Sequence, residues 1–127
     1  MQYTGMVIKG KGRGKSVVGF PTCNLAVPEG FVEKPGVYAC YVWVEGVRYR
    51  GALHFGATPT FDDTETALEI FILEYTGAEP ITQITFELGP YLRPVATFVD
   101  VAALRAQIAL DVQRVRRAMP LATQATA

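Results

Sequence analysis

Glu69 is the residue of this sequence whose neighbours most clearly indicate a catalytic role. It lies in the run ALEIFIL, where the two neighbours on each side are apolar. A carboxylate on an apolar face is costly unless it is paired, and partial desolvation raises a carboxyl pKa toward the range useful to a general base. The alternative is that this face of a strand meets solvent at a sheet edge, which would leave Glu69 simply exposed.

A second group of polar side chains lies in the segment GFPTCN. Thr22 and Asn24 are two residues apart, so in an extended segment their side chains point to the same side. A hydroxyl and an amide oxygen placed in this way could share one hard cation such as Mg²⁺, with phosphates and waters completing its octahedron. Ordinary turn chemistry is the alternative, because Asn and Thr often bond their own backbone.

The third group is the glycine-rich segment 9–16, which reads KGKGRGKS. It almost matches the phosphate-binding P-loop G-x-x-x-x-G-K-[ST], but Lys9 stands where the first glycine is required. Alternating glycines still allow the backbone to approach a phosphate closely, and the basic side chains between them add charge. A flexible basic hairpin tip or a nucleic-acid contact would have the same composition.

Composition and charge limit the class of protein. Half of the 127 residues are hydrophobic, which suits one compact domain, and a net charge of zero argues against a general polyanion binder. The charge is unevenly distributed: no acidic residue precedes Glu29, and no Lys or Arg lies between Arg50 and Arg93. This pattern suits an anionic ligand held against carboxylates, or equally a set of solvated loops.

The two cysteines and the single histidine lack metal-binding spacing, so we expect no zinc site and two reduced thiols. No apolar run has the length of a membrane span, and the first residues lack the apolar core of a signal peptide. We therefore expect a cytoplasmic protein that contacts no membrane.

The hydrophobic pattern predicts a mainly β domain that ends in one helix. A hairpin joined at Glu45 and Gly46 is predicted from the runs GVYACYVWV and VRYRGALHF. Two further strands are predicted at TALEIFILEY and ITQITFEL. The strand pattern is expected to break at Gly89-Pro90. Asp100 can cap a helix over 101–119, because apolar residues recur there at steps of three and four, and Pro120 ends it. Five or six antiparallel strands with one late helix indicate a small closed or nearly closed barrel, over 1–119, followed by a loose tail over 120–127.

Taken in order, several motifs of the chain resemble the riboflavin kinase domain. They are GKGRGKSVVGFPTCNL, PGVYACYV, FGATPTF, ALEIFIL, YLRPVATF and LRAQIALDVQRVR. The resemblance implies a six-stranded antiparallel Greek-key barrel with one C-terminal helix, and an enzyme that transfers the γ-phosphate of ATP to the 5′-hydroxyl of riboflavin to give FMN. The domain occurs alone or joined to an FMN-adenylylating half. The motifs here belong to the kinase half, so the chain is expected to be either a stand-alone kinase or a piece of a bifunctional enzyme.

The resemblance also implies roles for individual residues. Glu69 stands at the position of the catalytic base, and Thr22 and Asn24 stand at the positions of the magnesium and phosphate ligands. Nucleotide contacts are implied for these two residues and for a covering loop that contains Gly10, Gly12, Gly14, Lys15 and Ser16. Flavin contacts are implied for Arg93 and Phe98.

Some positions depart from the family pattern. A histidine is common where Phe71 stands, and an asparagine is common where His54 stands. The usual Tyr-Gly pair is replaced by Thr76-Gly77-Ala78. Because Thr22, Asn24 and Glu69 are all retained, these departures concern nucleotide contacts and rate more than the class of reaction.

The resemblance thus implies a Mg²⁺-dependent, ATP-using riboflavin kinase, with riboflavin and ATP as its partners. A monomer is the expected state. The main alternative is a non-catalytic barrel that holds a flavin or a nucleotide as a sensor or carrier. A small-barrel nucleic-acid binder is a third alternative, but the aromatic residues lie mostly in apolar strand runs rather than beside the basic loop. We therefore expect no nucleic-acid partner.

Overall fold

A computed structural model describes residues 2–8, 22–58, 63–75 and 81–120. The elements in these ranges are β1 (Gln2–Ile8), β2 (Thr22–Leu25), β3 (Gly36–Val44), β4 (Val47–Thr58), β5 (Asp63–Ile72), β6 (Gln83–Arg93) and α1 (Val101–Ala118). The strands close into an antiparallel barrel in the order β1-β2-β5-β4-β3-β6. This confirms the predicted six-stranded barrel with one C-terminal helix.

The hairpin of β3 and β4 forms where the sequence predicts it. Val44 pairs with Val47, and the turn residues Glu45 and Gly46 have φ values of 50° and 82°. Positive φ at both central residues is the geometry that matches the right-handed twist of a hairpin, and glycine adopts it at little cost. This turn sets the register of the whole β3–β4 pair.

Alternation along β5 separates the inside of the barrel from its outside. Leu68, Ile70 and Ile72 are almost fully buried and point inward, so Glu69 and Phe71 lie on the outer face. Phe31, from the β2–β3 connection, packs edge-on against Tyr3 and Phe55 within the same interior cluster. Apolar side chains, rather than a cavity for a ligand, therefore fill the barrel around these residues.

Helix α1 packs on the outside of the barrel. Asp100 caps it by accepting a 2.8 Å hydrogen bond from the backbone N–H of Ala103, as predicted. Its apolar side contacts small residues of β3 and β4 and the end of β5, in a cluster formed by Ala39, Ala52, Leu73, Ile108, Val112, Val115 and Met119. Val101, expected on this apolar side, is instead 40% exposed. No helix within the described ranges is long and apolar enough to cross a bilayer.

The predicted break at Gly89-Pro90 is wrong, because β6 continues through both residues to Arg93. The pairing with β3 shifts register between Tyr38 and Cys40 and again between Val37 and Tyr38. Such bulges accommodate a proline and a glycine inside a strand. A Cβ at Gly89 would lie 2.6 Å from the sulfur of Met119, so the glycine also makes room for the end of α1.

The packing of α1 gives a stability prediction. Ile108 is 5% exposed, so Ile108→Ala should lower the free energy of unfolding by about 2–4 kcal/mol through lost burial and a new cavity. Urea unfolding followed by far-UV circular dichroism measures this change.

Leu110→Ala is the matched control, because Leu110 lies on the same helix and is 49% exposed. Its effect should stay within about 0.5 kcal/mol. Equal losses in the two variants would contradict the assignment of the buried side of α1.

Candidate active site

Three polar side chains that are distant in sequence lie side by side on the outer face of the barrel. Asn24 of β2 is paired with Glu69 of β5, and the same Glu69 is paired with His54 of β4. Directly opposite residues on antiparallel strands have Cβ atoms about 4.5–5.5 Å apart and point to the same face. The three residues therefore form one row across β2, β5 and β4, which we call the polar row.

Glu69 lies at the centre of the polar row and not at a sheet edge. Its strand is paired with β2 on one side and β4 on the other, and the residue is half-buried. The edge alternative for Glu69 is therefore wrong. Half-buried Ala67 and Phe71 flank it on the same face, so the carboxylate has the partly apolar surroundings that the sequence predicts.

Thr22 and Asn24 lie on the same face of β2 as predicted. Both are half-buried, whereas Cys23 and Leu25 between and after them point into the barrel interior. Asn24 is opposite Glu69 and Thr22 is opposite Phe71. A hydroxyl, an amide oxygen and a carboxylate are thus gathered on one patch, and these oxygen donors fit a small hard cation accompanied by phosphate oxygens.

Phe71 stands where the resemblance to riboflavin kinases leads to the expectation of a histidine. It is half-buried and packs against the cluster beneath α1, with Thr22 and Ala52 as its cross-strand neighbours. Its ring therefore contributes an apolar wall between the Thr22 side of the patch and the helix.

His54 is the member of the polar row that lies nearest the C-terminal helix. The pKa of His54 is lowered from 6.5 to about 4, mainly by burial and also by the positive charge of Arg93, while the negative charge of Asp111 opposes the shift. The imidazole is consequently neutral at pH 7. Its Nδ1 atom is buried and has no hydrogen-bond partner among the described residues.

A buried ion pair joins the end of β6 to α1. Arg93 Nε donates to Asp111 Oδ1 at 3.0 Å and to Oδ2 at 3.2 Å, and Nη2 donates to Oδ2 at 2.8 Å. Gln107 Nε2 also donates to Asp111 Oδ1, at 3.1 Å. Asp111 is only 2% exposed, and a carboxylate this deeply buried requires such partners.

Asp111 was not identified from the sequence, although a signal was present. Position 111 lies three residues after Ile108 and four before Val115, so it falls on the buried side of the helix. A carboxylate on the apolar side of an amphipathic helix indicates a buried cation nearby.

Arg93 and Phe98, the two residues expected to contact a flavin, lie close to each other. The Arg93 guanidinium is 5.7 Å from the centroid of the Phe98 ring. Arg93 is paired with Val37, which is itself paired with His54. The Arg93 side of the site and the polar row are therefore separated by one strand on the same outer face.

Several predicted nucleotide-binding positions fall outside the described residues. They are Gly10, Gly12, Gly14, Lys15 and Ser16, and the departure at Thr76-Gly77-Ala78 does so too. The described part of the site consists of the polar row with Thr22, and of Arg93 with its partners.

Comparison with known proteins identifies the family. The family model for riboflavin kinase (flavokinase) matches residues 1–119. The chain belongs to the riboflavin kinase family. This confirms the family inferred from the sequence motifs.

Individual relatives agree with the family match. The chain is 33% identical to the bifunctional riboflavin kinase/FMN phosphatase of Arabidopsis thaliana over 95% of this chain and 34% of that protein. The riboflavin kinase of Aspergillus niger is 27% identical over 94% of this chain and 70% of that protein. The chain spans 16%, 34% and 37% of the lengths of three curated relatives that it matches.

The solved structures that resemble the chain share its fold. The crystal structure of a macrolide-efflux protein from Streptococcus pneumoniae superposes with a TM-score of 0.78 at 27% identity, over 91% of this chain and 38% of that one. The structure of riboflavin kinase from Trypanosoma brucei gives a TM-score of 0.61 at 22% identity, over 91% of this chain and 77% of that one.

The burial of His54 predicts a specific pH dependence of stability. Its pKa is about 4 in the folded protein and 6.5 when unperturbed. The unfolded chain therefore binds a proton first as the pH falls, and the contribution of neutral His54 to stability is present above pH 6.5 and lost between pH 6.5 and 4. Between pH 7 and pH 5 this loss amounts to about 2 kcal/mol.

His54→Asn removes the titrating group and supplies the matched comparison. Urea unfolding at pH 7 and pH 5 should show wild type losing about 2 kcal/mol more than the variant over this interval. Equal losses in the two proteins would contradict the burial of a neutral imidazole at this position.

Proposed function

We propose that this chain is a riboflavin kinase, which transfers the γ-phosphate of ATP to the 5′-hydroxyl of riboflavin to give FMN and ADP. The observation that carries the proposal is the position of Glu69. It lies half-buried at the centre of the polar row, directly beside Asn24. A phosphoryl acceptor bound along this face would place its hydroxyl against a carboxylate, next to the oxygen donors that suit a metal–triphosphate.

Glu69 acts as the general base in this proposal. It accepts the proton of the riboflavin 5′-hydroxyl as that oxygen bonds to the γ-phosphorus, while the bond from the γ-phosphorus to the β,γ-bridging oxygen breaks and ADP leaves. Glu69 and its apolar neighbours Ala67 and Phe71 are half-buried, and this partial burial would strengthen the interaction of the carboxylate with the hydroxyl. Positioning and charge stabilisation do most of the remaining work in phosphoryl transfer.

Thr22 and Asn24 would hold Mg²⁺ in this proposal. When bound, the cation offsets the charge that the phosphate oxygens carry in the transition state. The hydroxyl and the amide oxygen orient the triphosphate against Glu69. The glycine-rich segment 9–16 would cover the nucleotide with its backbone N–H groups and basic side chains.

Arg93 and Phe98 would lie on the flavin side of the site. Arg93 is separated from His54 of the polar row by one strand, so the ribityl chain would extend from the side of Arg93 and Phe98 toward Glu69. A cytoplasmic location and a monomeric state complete the proposal.

The test of the proposal is FMN formation by the purified chain. Riboflavin and Mg²⁺ are incubated with ATP or with CTP, and FMN is separated by chromatography. Glu69→Gln should keep the fold and lower turnover by about 10²–10⁴-fold, because the amide cannot accept the proton. Full turnover in this variant would eliminate Glu69 as the base.

Glu74→Gln is the matched control, since it makes the same chemical change on the exposed residue that pairs with Arg50. It should retain wild-type turnover. Tight riboflavin binding by wild type without any FMN would instead support the non-catalytic flavin-binding alternative.

A further inference from the structure

Asp111 is the charged residue of the described structure whose burial demands the most explanation. Its side chain is 3% exposed and lies on the side of α1 that faces the barrel. Arg93 and Gln107 saturate both carboxylate oxygens. Such a buried pair is weak evidence for a contribution to stability, because two well-packed apolar residues often stabilise a fold equally well.

The partner of Asp111 lies at the start of a segment that the proposed function uses. Arg93 is the last residue of β6, and residues 94–98 follow it; we call this segment the flavin-side loop. Arg93 Nη1 donates to the carbonyl oxygen of Pro94 at 3.2 Å, and the guanidinium lies 5.7 Å from the Phe98 ring. One guanidinium thus contacts both ends of the loop and the helix.

The hydrogen bonds of Arg93 are directed within the protein. Nε and Nη2 donate to Asp111, and Nη1 donates to Pro94, so each of the three guanidinium nitrogens has an internal acceptor. The side chain is only 14% exposed, and its charge is paired. This arrangement suits a group that shapes the loop better than one that binds a ligand directly.

We infer that Asp111 is a positioning residue that acts through Arg93 to hold the flavin-side loop in its ligand-binding shape. The inference rests on the proposed function, because the loop is assigned to the flavin side of the site. Asp111 fixes the plane of the guanidinium, the guanidinium fixes Pro94 and Phe98, and the loop then binds the flavin ring. Arg93 therefore acts on flavin binding by holding the loop and not by direct contact with the flavin.

Asp111→Asn distinguishes an indirect role of Arg93, in which it positions the loop, from direct flavin contact by Arg93. The variant leaves Arg93 in place but removes the charge that orients it. Riboflavin binding to the full chain is measured by quenching of flavin fluorescence, and the KM values for riboflavin and ATP are measured by FMN formation. The Kd and KM for riboflavin should each rise about tenfold, while kcat and the KM for ATP should change less than about threefold. Arg93→Met should give the same pattern, and combining the two changes should add little.

Two outcomes would overturn the inference. Unchanged riboflavin affinity in Asp111→Asn together with weakened affinity in Arg93→Met would assign Arg93 to direct contact. Equal losses of riboflavin and ATP affinity, in parallel with a lower melting temperature, would reduce Asp111 to a structural role. Glu74→Gln, which breaks the ion pair with Arg50 elsewhere on the barrel, is the control and should change neither affinity.

Asp111→Glu keeps the measurement decisive if Asp111→Asn does not fold. It preserves the paired charge but moves the carboxylate by one methylene, so riboflavin affinity should again fall while ATP affinity is retained. An unchanged riboflavin Kd in this variant would contradict the inference. Wild type that binds riboflavin but makes no FMN would refute the kinase proposal alone, because the binding comparison would still test Asp111.

Discussion

The register of β5 between β2 and β4 is the constraint on which the site depends. It places Glu69 opposite Asn24 on one side and opposite His54 on the other. A slip by one residue would turn Glu69 into the barrel interior and bring Ile70 to the surface, because side chains alternate with a period of two. The fully buried Leu68, Ile70 and Ile72 oppose that slip, so the apolar core fixes the polar row indirectly.

Helix α1 covers the outer face of the barrel over β3 and β4. Its apolar residues pack on Ala39 and Ala52, whose small side chains allow a close approach to the barrel. Among the described residues, Asp111 is the buried charged side chain on this packing surface, and it pairs with Arg93 at the end of β6. The same helix that completes the fold therefore also holds the start of the segment that follows β6.

Local sequence patterns predicted the elements well because their signals are local. The turn at Glu45-Gly46 and the helix capped by Asp100 follow from dihedral preferences and periodicity within a few residues. The continuation of β6 through Gly89-Pro90 was not predicted. Bulges in its pairing with β3 accommodate residues that would break a regular strand.

The polar groups of the site were only partly predictable from the sequence. Thr22, Asn24 and Glu69 were selected as candidates through their neighbours in sequence and through the family motifs. The helical position of Asp111 indicated a buried carboxylate, but the burial of His54 and the choice of Arg93 as the partner of Asp111 depend on strand register and on how the helix is placed. The same holds for the pairing of β5 with a strand on each side, which decided between a half-buried Glu69 and one at a sheet edge.

A crystal structure of the chain with riboflavin, Mg²⁺ and ADP is the most direct test of the central claim, that the polar row is where phosphoryl transfer takes place. The 5′-hydroxyl of riboflavin should lie within hydrogen-bond distance of the Glu69 carboxylate, about 2.6–3.2 Å, and the metal should lie against Thr22 and Asn24. A flavin bound on another face of the barrel, with Glu69 facing only solvent, would contradict the claim.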